Sequence, residues 1–167
     1  LDIGCNDGTL LSYYPNNYMK FGVDPSNSID EITDDNVTCI KDVYPSNLLT
    51  STKFTAITSI AMLYDLEDPV SFVKSIYDNL ADDGIWVFEM SYLPTMMSMN
   101  AYDTICNEHI EYYSLSVIET LLEKGNMKLI NATLNSTNGG SIQCTATKKD
   151  CHSYLTNDIN LHCLRML

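Results

Sequence analysis

Basic residues are scarce in this chain: 9 Lys and Arg stand against 22 Asp and Glu, a formal net charge of −13 over 167 residues. The acids are dispersed rather than gathered in a block. Such a surface repels nucleic-acid phosphates and anionic membranes, so neither is an expected partner. An anionic small molecule would need cations placed locally. No apolar run reaches the roughly 20 residues of a membrane span, and no signal peptide is visible. The six cysteines, Cys5, Cys39, Cys106, Cys144, Cys151 and Cys163, include no Cys-x-x-Cys pair. That argues against a zinc site and for buried free thiols in a reducing, cytoplasmic setting. Repeats and low-complexity stretches are absent too, as is an initiator Met. Leu1-Asp2-Ile3 reads as the end of a first strand, so a fragment of a longer protein is expected.

What is present is a globular composition, 45% hydrophobic, in a length that suits one domain. Period and punctuation alternate strand with helix. Short strands are expected at Leu1–Ile3, Met19–Val23 and Val37–Ile40, and a longer one at Phe54–Met62 whose near-continuous small and apolar residues suit a strand buried on both faces. Helices are expected over Thr9–Tyr14 before Pro15, from Ser26 to about Thr33, and from Asp68-Pro69 through Leu80. Ala81-Asp82-Asp83-Gly84 reads as a turn into a fifth strand, Ile85–Glu89. Met90–Tyr113 shows no period and is long for a simple connection, which marks it as functional. Ser114 is positioned to cap a helix over Leu115–Lys124, ended by Gly125. Lys128–Leu134 and Ser141–Thr147 read as strands joined by Asn135–Gly140, and Asp150–Leu167 as a helical start of a further unit. The domain expectation is therefore 1–149 plus the opening of a C-terminal domain at 150–167. Alternation of this kind predicts an α/β fold, a Rossmann-like, mostly parallel sheet with helices on both faces. Ligands in such sheets sit at the carboxyl ends of the strands.

Those ends collect the candidates. Gly4 and Gly8 frame Cys5-Asn6-Asp7 directly after the first strand, and Asp24 closes the second. A glycine turn lets a ligand approach the backbone, and an acid ending the second strand accepts both hydroxyls of a ribose. A nucleoside-containing cofactor is implied. The dinucleotide pattern Gly-x-Gly-x-x-Gly is not met, because the third glycine is missing. Asp2 followed by Gly4-x-x-x-Gly8 instead resembles motif I of class I methyltransferases that use S-adenosylmethionine. That resemblance implies a cofactor site of Asp2, Gly4, Asn6, Gly8 and Asp24. Asp42, after the third strand, is either the acceptor of the adenine amino group or a solvated turn residue.

The stretch after the fifth strand is more specific. Tyr92-Leu93-Pro94, then Asp103-Thr104-Ile105-Cys106-Asn107-Glu108-His109, Tyr113-Ser114 and Gly139-Gly140-Ser141 follow in order. Together with Met62–Pro69 they resemble the sugar C-methyltransferase family, which methylates ring carbons of nucleotide-linked deoxyhexoses. The resemblance runs to about Lys149 and implies His109 as general base, Glu108 as its orienter or a sugar contact, and Tyr92 as a substrate contact. Forming a carbon–carbon bond to a sulfonium methyl requires an enolate, and histidine is the side chain whose ordinary pKa lies nearest neutrality. Asn107 departs from the pattern, which usually has histidine there. Its amide can donate to a ketone oxygen but cannot carry charge. Two rival functions remain: methyl transfer to oxygen or nitrogen of another small metabolite, and a fragment that binds cofactor without turnover.

Overall fold

The computed structural model describes residues 1–166. Seven strands form one sheet: β1 (Asp2–Ile3), β2 (Lys20–Val23), β3 (Val37–Ile40), β4 (Phe54–Ile60), β5 (Leu80–Ser91), β6 (Met127–Asn135) and β7 (Ser141–Lys148). Their order is β3-β2-β1-β4-β5-β7-β6. The first five are mutually parallel, and β7 runs antiparallel to both β5 and β6. The strand order reverses between β1 and β4, so the expected ligand crevice opens there, outside the carboxyl ends. Among the described residues no helix is long and apolar enough to cross a membrane.

The helices are α1 (Thr9–Ser12), α2 (Pro69–Asn79), α3 (Leu93–Met99), α4 (Leu115–Lys124) and α5 (Asp158–Arg165). α2 begins where Asp68 accepts the Ser71 amide at 3.0 Å, with Pro69 in the first turn, where its missing N–H matters least. Its buried stripe, Phe72, Val73 and Ile76, lies at helical spacing. Phe72 meets the edge of Tyr44, and Trp86 stacks on Phe88 with ring centroids 4.1 Å apart. The Trp86 indole N–H donates to Ser59 Oγ at 3.0 Å, which satisfies a polar group buried between β4 and β5.

Several expectations are corrected. The turn placed at Ala81–Gly84 is the opening of β5. Phe54 pairs with Leu80 and Ala56 with Ile85, so a bulge absorbs the extra residues, and fully buried Leu80 anchors the strand. The helix expected from Ser26 is a single 3-10 turn, Asn27–Glu31, and the Ser26 side chain caps nothing. Ser114 likewise makes no capping bond; its hydroxyl pairs with that of Ser116. Residues 93–99, inside the expected loop, are helical because Pro94 sits in the first turn of α3. Apart from these corrections, α5 packs on the core of the sheet. Leu161 and Leu164 join the main cluster, and the Asn157 amide donates to Ile130 O at 2.8 Å. The helix there covers only Asp158–Arg165; Leu167 lies outside the described residues. Of the cysteines, all free, only Cys5, Cys144 and Cys151 are buried, whereas Cys39, Cys106 and Cys163 are exposed.

Candidate active site

β1 delivers the chain into a turn with left-handed backbone at Gly4 (φ 71°), Asn6 (φ 50°) and Gly8 (φ 75°). A Cβ on Gly4 would lie 2.5 Å from Met62 Sδ, and one on Gly8 would lie 2.9 Å from Ile32. The glycines thus answer to close side-chain packing as well as to backbone conformation. The turn is laid over the end of β2: the Gly4 amide donates to Val23 O at 2.8 Å.

Asp24 anchors the same turn from the end of β2. Its two carboxylate oxygens accept the Asn6 amide at 2.9 Å and the Ser26 amide at 2.8 Å. Burial (8% exposed) pushes this carboxyl up, but the bonds from Ser26 and Asn6 outweigh it and hold the group below the usual range. An ionised carboxylate has about four acceptor positions, so two remain for the cis hydroxyls of a ribose. The residues here fit a nucleoside cofactor. Asp42 satisfies its own loop, accepting from the Val43 amide at 2.8 Å and the Ser46 hydroxyl at 2.7 Å, and stays exposed at the end of β3.

Asp2 is 3% exposed and accepts the Thr58 hydroxyl at 2.6 Å. It supports the turn from within the sheet and does not present a free carboxylate to the rim. Burial pushes its carboxyl up to about 6, against the Thr58 bond.

On the other side of the crevice lies His109. Its Nδ1 sits 2.8 Å from the backbone carbonyl of Thr104. A carbonyl only accepts, so Nδ1 carries a proton, and Nε2 is the nitrogen that can hold a lone pair. The imidazole packs on the Tyr64 ring, with centroids 4.0 Å apart and planes tilted by 42°. The Tyr64 carbonyl accepts the amides of Ile110 (3.0 Å) and Glu111 (3.1 Å). Glu108 is exposed and makes no hydrogen bond to the imidazole. The amide of its own residue and the Cys106 thiol hold its carboxyl below the usual range. The Thr104 carbonyl, rather than Glu108, is the partner of the His109 Nδ1, which leaves Glu108 free for a sugar contact. Asn107 is exposed beside them.

Tyr92 is the clear correction. At 1% exposure it belongs to the main core, and burial pushes its hydroxyl up. A bridge to Tyr113 and a Leu93 amide to Tyr113 O bond of 3.0 Å pin the two ends of the intervening segment together. Tyr102 is exposed instead, at a cavity of about 350 Å³ lined by Leu93, Met96, Met97 and Ile105. A cavity of about 370 Å³ lined by Leu1, Leu11, Tyr14 and Phe54 lies at the opposite, amino ends of the strands. The turn at 135–140 joins β6 and β7 as a hairpin, and Gly140 packs against Thr95 of α3.

Three contributors were not assigned a role from sequence: Thr58, Tyr64 and the Thr104 carbonyl. Thr104 acts through its backbone, which residue type cannot reveal. Tyr64 sits in the segment after β4, whose resemblance to the sugar methyltransferases was its one signal. The hydroxyl of half-buried Tyr112 is closed to solvent and has no hydrogen-bond partner among the described residues.

A family model described as a methyltransferase domain matches residues 1–132. The chain belongs to that family. It also has the fold of the S-adenosylmethionine-dependent methyltransferases. A putative enzyme of that kind from Listeria monocytogenes superposes with a TM-score of 0.70 at 14% identity, covering 89% of this chain and 90% of the other. Magnesium protoporphyrin IX methyltransferase from Synechocystis, solved with bound SAH, gives 0.67 at 13% identity over 88% of this chain and 72% of the other. By sequence, the C-methyltransferase NovU of Streptomyces niveus is 32% identical over 82 residues. That match spans 49% of this methyltransferase domain but only 19% of the relative.

Proposed function

We propose that this domain binds S-adenosylmethionine at the Gly4–Gly8 turn and Asp24, and serves methylation of a ring carbon in a nucleotide-linked keto-deoxysugar. The observation that carries the carbon chemistry is the Thr104 carbonyl on His109 Nδ1. It leaves Nε2, with no protein partner among the described residues, as the basic nitrogen. The partial match to a C-methyltransferase supports the same reading.

When bound, the cofactor supplies an electrophilic methyl group on a sulfonium sulfur. The chain's own work is to hold the cofactor and to move a proton. Asp24 fixes the ribose, and the turn lets the cofactor lie close to the backbone. His109 Nε2 takes the proton from the carbon next to the substrate ketone. The electron pair of that C–H bond moves toward the ketone oxygen, to which the Asn107 amide donates a hydrogen bond. A general base at such a step contributes about 10²–10⁴-fold. No Lys or Arg occurs in residues 4–8, 61–68 or 90–114. The diphosphate of such a substrate is therefore held outside these loops, and only the uncharged sugar ring approaches His109.

The test is exchange of the sugar's α-proton in deuterated water, with S-adenosylhomocysteine present so that transfer cannot occur. Exchange that falls about 10²–10⁴-fold in His109→Gln supports carbon methylation. Methyl transfer to a hydroxyl or amine with no α-exchange would assign oxygen or nitrogen chemistry.

A further inference from the structure

We propose that Tyr64 is the positioning residue of His109. Tyr64 holds the histidine segment twice, by two different groups. Its ring packs against the imidazole at a centroid distance of 4.0 Å. Its backbone carbonyl accepts the amides of the next two residues, Ile110 and Glu111. Tyr64 itself is fixed. It lies in the 3-10 turn Leu63–Asp65 directly after β4, is 7% exposed, and belongs to the main core. Residues 105–109 lack regular structure, and Cys106, Asn107 and Glu108 are exposed. Nothing in that stretch alone would hold an imidazole in one place. The Thr104 carbonyl sets which nitrogen carries the proton, while Tyr64 sets where the ring lies.

A side chain that hydrogen-bonded His109 Nε2 would consume the lone pair the base needs. An aromatic face restrains the ring and leaves both nitrogens free for their separate tasks. The end of β4 flanks the sheet's order reversal, so the same turn that packs Met62 against Gly4 also fixes His109. Cofactor turn and base are thereby referred to one rigid strand.

The catalytic consequence rests on the reading of His109 as base, but the positioning does not. It is read from the imidazole itself by ¹⁵N-edited NMR of the whole chain. His109→Gln assigns the signals against those of His152 and His162. The expected wild-type result is an Nδ1–H tautomer with ring protons shifted upfield by the tyrosine ring. Tyr64→Leu is expected to lose the upfield shift, and Tyr64→Phe to retain it. α-Proton exchange should fall about 10- to 100-fold in Tyr64→Leu and return in Tyr64→Phe, since small misplacements of a catalytic group have effects of that order.

Unshifted ring protons in the wild type would overturn the proposal without any variant, should Tyr64→Leu fail to fold. Identical imidazole spectra in folded Tyr64→Leu and wild type would overturn it as well. If the spectra behave as expected but neither His109→Gln nor Tyr64→Leu alters exchange, the positioning holds and it is the base assignment that falls.

Discussion

Thr58 donates its hydroxyl to Asp2 at 2.6 Å, and this pair ties β4 to β1 where the order of the sheet reverses. The bond is not enough to offset burial, so the carboxyl is raised from 3.8 to about 6. The folded state then holds a proton between about pH 4 and 6 that the unfolded chain has released. Stability from this group is present at low pH and falls as pH rises through that window, by about 3 kcal/mol in all. Asp2→Asn has no such proton. Urea unfolding at pH 4, 5 and 6 should show the variant gaining on the wild type as pH rises. A pH-independent difference would mean that the carboxyl is not desolvated.

Asp24→Ala removes both the expected ribose contact and the acceptor for two turn amides. Hydrogen bonds to a charged group contribute about 1.5–3 kcal/mol. Calorimetric titration of S-adenosylmethionine should therefore show affinity at least about tenfold weaker, with the thermal midpoint lowered as well. Unchanged affinity would place the cofactor elsewhere.

Asn79, buried at the end of α2, accepts the Tyr44 hydroxyl at 2.9 Å and donates to Leu49 O at 2.7 Å and Thr52 O at 3.0 Å. Asn79→Ala takes a partner from the buried Tyr44 hydroxyl and from the half-buried Thr52 carbonyl, while Leu49 O keeps the Thr52 amide at 2.9 Å. A loss of about 2–4 kcal/mol is expected in equilibrium unfolding. A loss under 1 kcal/mol would show that water replaces the amide.

Asn107→His restores the residue that the sugar methyltransferase pattern carries. Asn107 is exposed, so stability should change by no more than about 0.5 kcal/mol. A second imidazole beside the ketone oxygen can carry positive charge, which a neutral amide cannot, so α-proton exchange should rise. Unaltered exchange would show that the amide already suffices.

The readings that depended on local chemistry held where a residue's partner lay close along the chain. Asp68 caps α2, and Gly125 ends α4, as their spacing implies. They failed where a distant partner intervened. Ala81–Gly84 has turn composition, yet pairing with β4 draws it into the sheet. Tyr92 has the residue type of a substrate contact, and burial between β5 and the start of α3 makes it core.

Alternating strand and helix signals, the glycine turn, and an acid at the end of β2 determined the mostly parallel α/β fold and the end of the sheet that carries the site. Those features are local: periodicity, φ preference and the position of a carboxylate relative to a strand end act within a few residues. The tertiary structure alone decided that Asp2 is a buried strut, that Tyr92 is core, and that Tyr64 and Thr104 hold His109. The first two and Tyr64 depend on groups that the sheet order brings together, and the Thr104 contact on a backbone atom that every residue type shares.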